Sequence, residues 1–306
     1  MRNQILILFL VGGVIFGQNV QVTSNQPITN INQGKFFYPQ VSPSGEHILL
    51  TSENHDGIWM YNTINGKIDK IVDASGAGYE PMISTDGEEI VYRESEYINN
   101  RKYSSLHKYN IKTQSTELIE QRARNVSTPL EKTSNTITYV VEKELIEKNV
   151  SKNLQKNENS QTLVTIENSD LVIYSKGERK VYTPLGKGNY LWPSISPDGT
   201  KLLFTFAGKG SFVADFEGNI ITELSNAHYP NWSNDSKWIV YMKDFDDGYV
   251  ITSSEIHVVS VDGTIDVKLT ETENIHEMYP SWSPVANEIV YNTTDGIIYK
   301  LKLKID

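Results

Sequence analysis

The chain has 306 residues, 38% of them hydrophobic, with 17 Tyr and 5 Trp, enough for one large domain with a sizeable core. Its formal net charge of −10 is spread along the chain and argues against a nucleic-acid partner, because phosphate binding needs clustered Lys and Arg. It has no Cys, which excludes disulfides, thiolate catalysis, Cys-ligated zinc and a lipid-modified cysteine, and leaves the redox compartment open.

The first predicted element is a targeting signal. Arg2 supplies a short positive region, and Ile5 to Phe16 is an apolar run of 12 residues. A spanning helix needs about 20 apolar residues, so the run fits a signal peptide. Gly17 fills the small position before a cut and leaves Gln18 as the new N-terminus. Residues 1–17 are therefore read as a signal peptide and 18–306 as a single domain. No later stretch is apolar enough to span a membrane, so the expected location is periplasmic or secreted, in a bacterial cell envelope.

A repeat organises the rest. Anchor prolines stand at Pro39, Pro81, Pro193, Pro230 and Pro280. Two residues on comes a large apolar residue (Val41, Ile83, Ile195, Trp232, Trp282), and three residues on always a serine (Ser42, Ser84, Ser196, Ser233, Ser283). A turn follows, clearest in Ser196-Pro197-Asp198-Gly199, and then an apolar triplet such as Ile90-Val91-Tyr92 or Ile289-Val290-Tyr291. Pro at a strand's start costs no ladder hydrogen bond, Pro-Asp-Gly suits a tight turn, and branched or aromatic triplets suit buried strands. Each copy thus encodes a hairpin. A worn sixth copy begins at Pro129, with Thr138-Tyr139-Val140 in the triplet slot.

Third strands are expected at Ile58–Tyr61, Ser105–Tyr109, Ser211–Ala214, Ile256–Val259 and Ile297–Lys300, with fourth strands such as Ile220–Leu224 after Gly-containing turns. Four strands per unit predict an all-β, six-bladed β-propeller of four-stranded antiparallel blades. The polar stretch at about 142–161 is read as a loop inserted in the Pro129 unit, with Leu171–Tyr174 and Arg179–Tyr182 finishing that blade. The last unit lacks a fourth strand, and the segment after the signal, Gln18–Asn32, is free to supply it. That would close the ring and hide an edge.

The repeat resembles that of the TolB-like six-bladed propellers, whose WD40-like unit carries a Pro-x-Trp-Ser-Pro-Asp-Gly core. Trp232-Ser233, Trp282-Ser283-Pro284 and Ser196-Pro197-Asp198-Gly199 carry the likeness, which spans about residues 36–302. Val41 and Ile83 replace the Trp. The resemblance implies an exported interaction platform, with sugar-degrading lyases and peptidase-linked propellers also in the family. The family's namesake carries an extra N-terminal domain for which this chain has no room.

Residues just before the anchors should lie at one mouth of the central channel. They form a predicted collar of Tyr38, Tyr79, Glu80, Trp192, His228, Tyr229, Met278 and Tyr279. Aromatic anchors with few charges suit a protein, peptide or glycan partner. Packing between neighbouring blades is the plainer explanation of the same pattern. Acidic residues expected on loops of that face are Glu53, Asp56, Glu94, Glu96, Asp244, Asp246, Asp247 and Asp295. Asp244 to Gly248 lacks the later bidentate Glu of a calcium loop. No His-x-x-x-His pair, Gly-x-Ser-x-Gly elbow or phosphate loop occurs. The expectation is a monomeric, non-catalytic binding propeller with no cofactor and no metal. The alternative is a lyase or hydrolase acting in the channel through His228 or His276 and nearby acids.

Overall fold

The computed structural model describes residues 20–133, 136–150, 162–272 and 275–305. The signal peptide read at 1–17 lies outside them. Almost all regular structure is antiparallel strand, and one 3-10 turn, Ile31–Gln33, is the sole helical element among the described residues.

Six units start at the anchors the sequence marks. Five of them are four-stranded sheets. Sheet 1 holds Phe37–Val41, His47–Thr51, Ile58–Asn62 and Ile68–Val72. Sheet 2 runs from Met82–Ile83 to Ser115–Ala123, sheet 5 from Tyr190–Ile195 to Ile220–Leu224, and sheet 6 from His228–Trp232 to Asp266–Lys268. Sheet 7 holds Glu277–Trp282, Glu288–Thr293 and Ile298–Ile305, and its fourth strand is Val20–Pro27 from the other end of the chain. Val20 opposes Ile305 and Pro27 opposes Tyr299, so the expected closure by the N-terminal segment holds.

The unit headed by Pro129 differs from its reading as one blade with an inserted loop. It is subdivided into two three-stranded sheets: sheet 3 (Leu130–Thr133, Thr136–Val141, Glu144–Asn149) and sheet 4 (Leu163–Glu167, Asp170–Ser175, Glu178–Tyr182). The stretch read as a loop at 142–161 thus opens with a strand, while 151–161 lie outside the described residues. Two-residue turns make the subdivision fit. Glu142-Lys143, Asn168-Ser169 and Lys176-Gly177 have positive φ at both positions, the type I′ geometry that joins strands most tightly. Only the last of the three contains a glycine.

Seven apolar clusters join successive sheets around the ring. Phe36, Ile48 and Leu50 meet Val290 and Ile298 between sheets 7 and 1, and Leu49, Ile58 and Val72 meet Ile83 and Ile90 between sheets 1 and 2. Val91 and Leu106 meet Ile137 and Tyr139 between sheets 2 and 3, and Val140 meets Leu163 and Val172 between sheets 3 and 4. Matching clusters join sheets 4 and 5, 5 and 6, and 6 and 7. Each triplet is buried on both faces, as its continuous apolar run requires.

The repeated serine is a turn lock. Its hydroxyl accepts the N–H five residues on in Ser42 from His47 (3.1 Å), Ser84 from Glu89, Ser196 from Lys201 and Ser233 from Trp238 (2.9 Å each). Ser84, Ser196 and Ser233 also donate to the Asp two residues on, at 2.5–2.6 Å. The motif therefore holds its own hairpin.

Candidate functional site at the channel mouth

Four inner strands, those of sheets 1, 5, 6 and 7, begin with an irregularity at the anchor. The pairing skips a residue between Phe37 and Gln40, Leu191 and Ser194, His228 and Asn231, and Met278 and Ser281. The residue just before the proline is left-handed at these four anchors and at that of sheet 2: Tyr38 (φ 51), Glu80 (φ 49), Trp192 (φ 48), Tyr229 (φ 51) and Tyr279 (φ 53). Such a backbone is costly for a bulky residue, by about 1–3 kcal/mol each. It is doubly unusual before proline, which favours an extended neighbour. The surroundings hold it in place. Asn292 Oδ1 accepts the Tyr38 N–H at 3.0 Å, and Arg93 donates to the Tyr79 carbonyl at 3.2 Å. Gly78 lets the chain before Tyr79 lie on sheet 1, since a Cβ there would sit 1.9 Å from Thr51 Oγ1.

The bulge turns the collar rings toward one another. Tyr38 lies 4.2 Å from Tyr279 and 6.0 Å from Tyr229 between ring centroids, Tyr229 lies 4.6 Å from Tyr279, and Trp192 lies 5.1 Å from Tyr229. The Trp192 side chain of sheet 5 comes close enough to the Tyr79 hydroxyl of sheet 2 to act on it, so the aromatic cluster reaches across the mouth. Burial raises the hydroxyl pKa of Tyr38, Tyr79 and Tyr229, which keeps them protonated at neutral pH.

The remaining predicted collar residues separate. Glu80 is exposed, accepts from Thr128 at 2.6 Å and lies 3.6 Å from Arg93. His228 is half-buried and bonded through Nδ1 to Asp244 Oδ1 at 2.5 Å, which raises its pKa above the ordinary histidine value. Met278 faces away. It is buried between sheets 6 and 7 among Met242, Ile256 and Trp282, and only its backbone belongs to the mouth.

Sequence reasoning missed two members. His55, from the loop between the second and third strands of sheet 1, stacks on Tyr38 at 3.9 Å and meets Tyr79 edge-on at 5.1 Å. Burial lowers its pKa. Arg93 sits over the Tyr79 ring at 5.2 Å and donates to the Tyr79 and Val126 carbonyls. Neither is adjacent to an anchor. The one available clue was their position beyond an apolar triplet, where each blade turns back on this face.

The acidic residues expected on loops mostly have structural partners. Glu94 and Glu96 lie on the strand Glu89–Ile98, and Asp244 and Asp246 on Trp238–Asp246. The second and third strands of these two sheets are longer than expected, forming tall hairpins. Asp56 accepts from Ser75 and Gly76 at 2.9 Å, Glu94 pairs with His107 at 3.1 Å, and Glu96 with Arg122 at 2.8 Å. Asp246 and Asp247 cap the Gly248 to Val250 turn. Among the described residues no group of three His, Asp or Glu is placed to hold a metal ion. His276 contributes its carbonyl to Thr294 N–H at 3.2 Å.

Solved structures give the fold its relatives. A protein from Agrobacterium tumefaciens assigned as a TolB superposes with a TM-score of 0.55 at 17% identity, over 95% of this chain and 99% of its own. TolB from Acinetobacter baumannii gives 0.52 at 16% identity over 81% of this chain. This chain has a TolB-like propeller fold. It spans 57% of the length of the Acinetobacter protein. An oligogalacturonate lyase solved with manganese gives 0.51 at 12% identity, over 90% of this chain and 79% of the lyase. No family model and no curated protein matches the sequence. No described helix is long and apolar enough to cross a membrane.

Proposed function

We propose that this TolB-like propeller is an exported, monomeric binding protein of the cell envelope that takes a protein, peptide or glycan on the aromatic collar, without catalysis, cofactor or metal. One observation carries the reading. Five separate units each hold the residue before the anchor in a left-handed conformation, and four of those five side chains are aromatic rings gathered at one mouth. Packing alone does not call for the same costly backbone five times, whereas a preorganised recognition surface does. Tyr and Trp give large contact area for little conformational entropy. The test is capture of partners from the native envelope fraction on immobilised protein. Wild type retains a saturable partner, and the Trp192→Ala/Tyr229→Ala double variant loses it at least tenfold while its melting temperature stays near wild type. Equal capture by both proteins contradicts the proposal.

A second reading rests on the His228–Asp244 pair beside Tyr229. A half-exposed imidazole held by a carboxylate can move a proton, as a lyase or hydrolase requires. It predicts turnover that His228→Gln abolishes and Tyr229→Phe spares. Binding that survives His228→Gln, with no substrate consumed, favours the first reading.

A further inference from the structure

Building on the collar as a binding surface, we infer that its ligand presents a cation, and that a Lys or Arg side chain of a peptide seats on the tyrosine rings. Three observations point there.

The first is ring geometry. Tyr38, Tyr229 and Tyr279 meet at tilted or perpendicular angles (42° and 79° with Tyr279), so a ligand above them meets both ring faces and hydroxyl edges. The negative face of an aromatic ring attracts ammonium or guanidinium, most strongly where several rings converge. All three tyrosines stay partly exposed at the mouth.

The second is that the site already holds a cation of its own. Arg93 stacks on Tyr79 at 5.2 Å, with Glu80 3.6 Å away and two carbonyls as acceptors. A collar ring and a flanking carboxylate therefore already accommodate a guanidinium. Tyr38, Tyr229 and Tyr279 carry no such internal cation among the described contacts.

The third is charge. Glu53 and Glu80 act electrostatically on Tyr38 and Tyr229, and Asp244 and Asp246 on His228 next to Tyr229. The opposing positive groups are Arg93, committed to Glu80 and carbonyls, Lys102, which lies near His55 and Arg93, and His228 when protonated, committed to Asp244. The mouth is acidic on balance, in a chain of net charge −10. An uncharged glycan draws nothing from this charge, whereas a basic peptide does.

The probe is a blocked pentapeptide with one central arginine among glycines, compared with the same peptide carrying uncharged citrulline and with a neutral hexasaccharide. Binding is read from NMR shifts of the tyrosine ring signals, assigned through single Tyr→Phe variants. The inference predicts that the arginine peptide moves the Tyr38, Tyr229 and Tyr279 signals and binds at least fivefold more tightly than the citrulline peptide. That advantage should shrink in 0.5 M salt and in the Glu53→Gln/Glu80→Gln variant. If citrulline peptide or hexasaccharide moves the same signals with equal or better affinity, the collar remains a binding surface and the cation inference is overturned. If none of the three probes moves the collar signals, the cation inference fails as well, and partner capture with the Trp192→Ala/Tyr229→Ala variant decides the collar separately.

Discussion

At Tyr38 a left-handed backbone is stabilised by one acceptor, the fully buried Asn292 side chain, which takes the Tyr38 N–H from the neighbouring sheet. Asn292→Ala leaves that N–H without a partner and should cost about 1–3 kcal/mol in urea unfolding, with the Tyr38 ring signals shifted most. Glu277 presents a second residue-scale cost. Only 1% of its surface is exposed, Oε1 accepts from Thr272 at 2.5 Å, Oε2 has no partner, and the nearby Glu255 carboxylate pairs with Lys268 and accepts from Thr270. Burial, with Glu255 adding repulsion, lifts its pKa from 4.5 to about 7. The folded state thus holds this proton more tightly than the unfolded chain. The stabilising contribution is complete below about pH 4.5 and is lost as pH rises through about 7. Glu277→Gln should remove that slope and stabilise the protein at pH 8 by on the order of 1–3 kcal/mol, read from unfolding curves at pH 5 and pH 8. A slope unchanged in the variant would place the proton elsewhere.

Elements differ in what holds them. The closing strand Val20–Pro27 buries only Val20, so its contribution is main-chain pairing with Ile298–Ile305 rather than side-chain burial. Deleting 20–27 should lower the melting temperature by about 10 °C, at roughly 2–4 °C per kcal/mol for a domain of this size. It should also expose an edge that pairs between molecules, seen as a concentration-dependent shift in size-exclusion. An unchanged melting temperature would refute closure by this strand. The same scale explains what is legible in the sequence. The anchored hairpins announce themselves because Pro, Ser and Asp-Gly each have a local job; the serine locks four of them, and all five anchors stand where expected. The region 125–185 did not, because Glu142-Lys143 and Asn168-Ser169 make tight turns without the glycine that usually marks them. The tall hairpins of sheets 2 and 6 exceed their apolar triplets because their outer halves are polar and half-exposed, which leaves no strand signal in the sequence.

Across the whole molecule, the turns between first and second strands gather on one face and the collar on the other. Thr63 N–H bonds Glu46 O at 2.9 Å on the first, placing the exposed Ile64 there, while His55, Arg93 and Asp244 meet the collar on the second. Position along the repeat therefore sorted scaffold from candidate site. What the repeat could not convey was the left-handed backbone that makes the rings converge, nor the His55 side chain from the loop after one second strand and the Arg93 side chain on another. The most direct test of the collar is photo-crosslinking in the native envelope from a benzoylphenylalanine placed at Tyr229, with a second at Ile64 on the opposite face. The account predicts a discrete crosslinked partner from position 229, competed away by added wild-type protein, and none from position 64. Crosslinks from position 64 alone would contradict it.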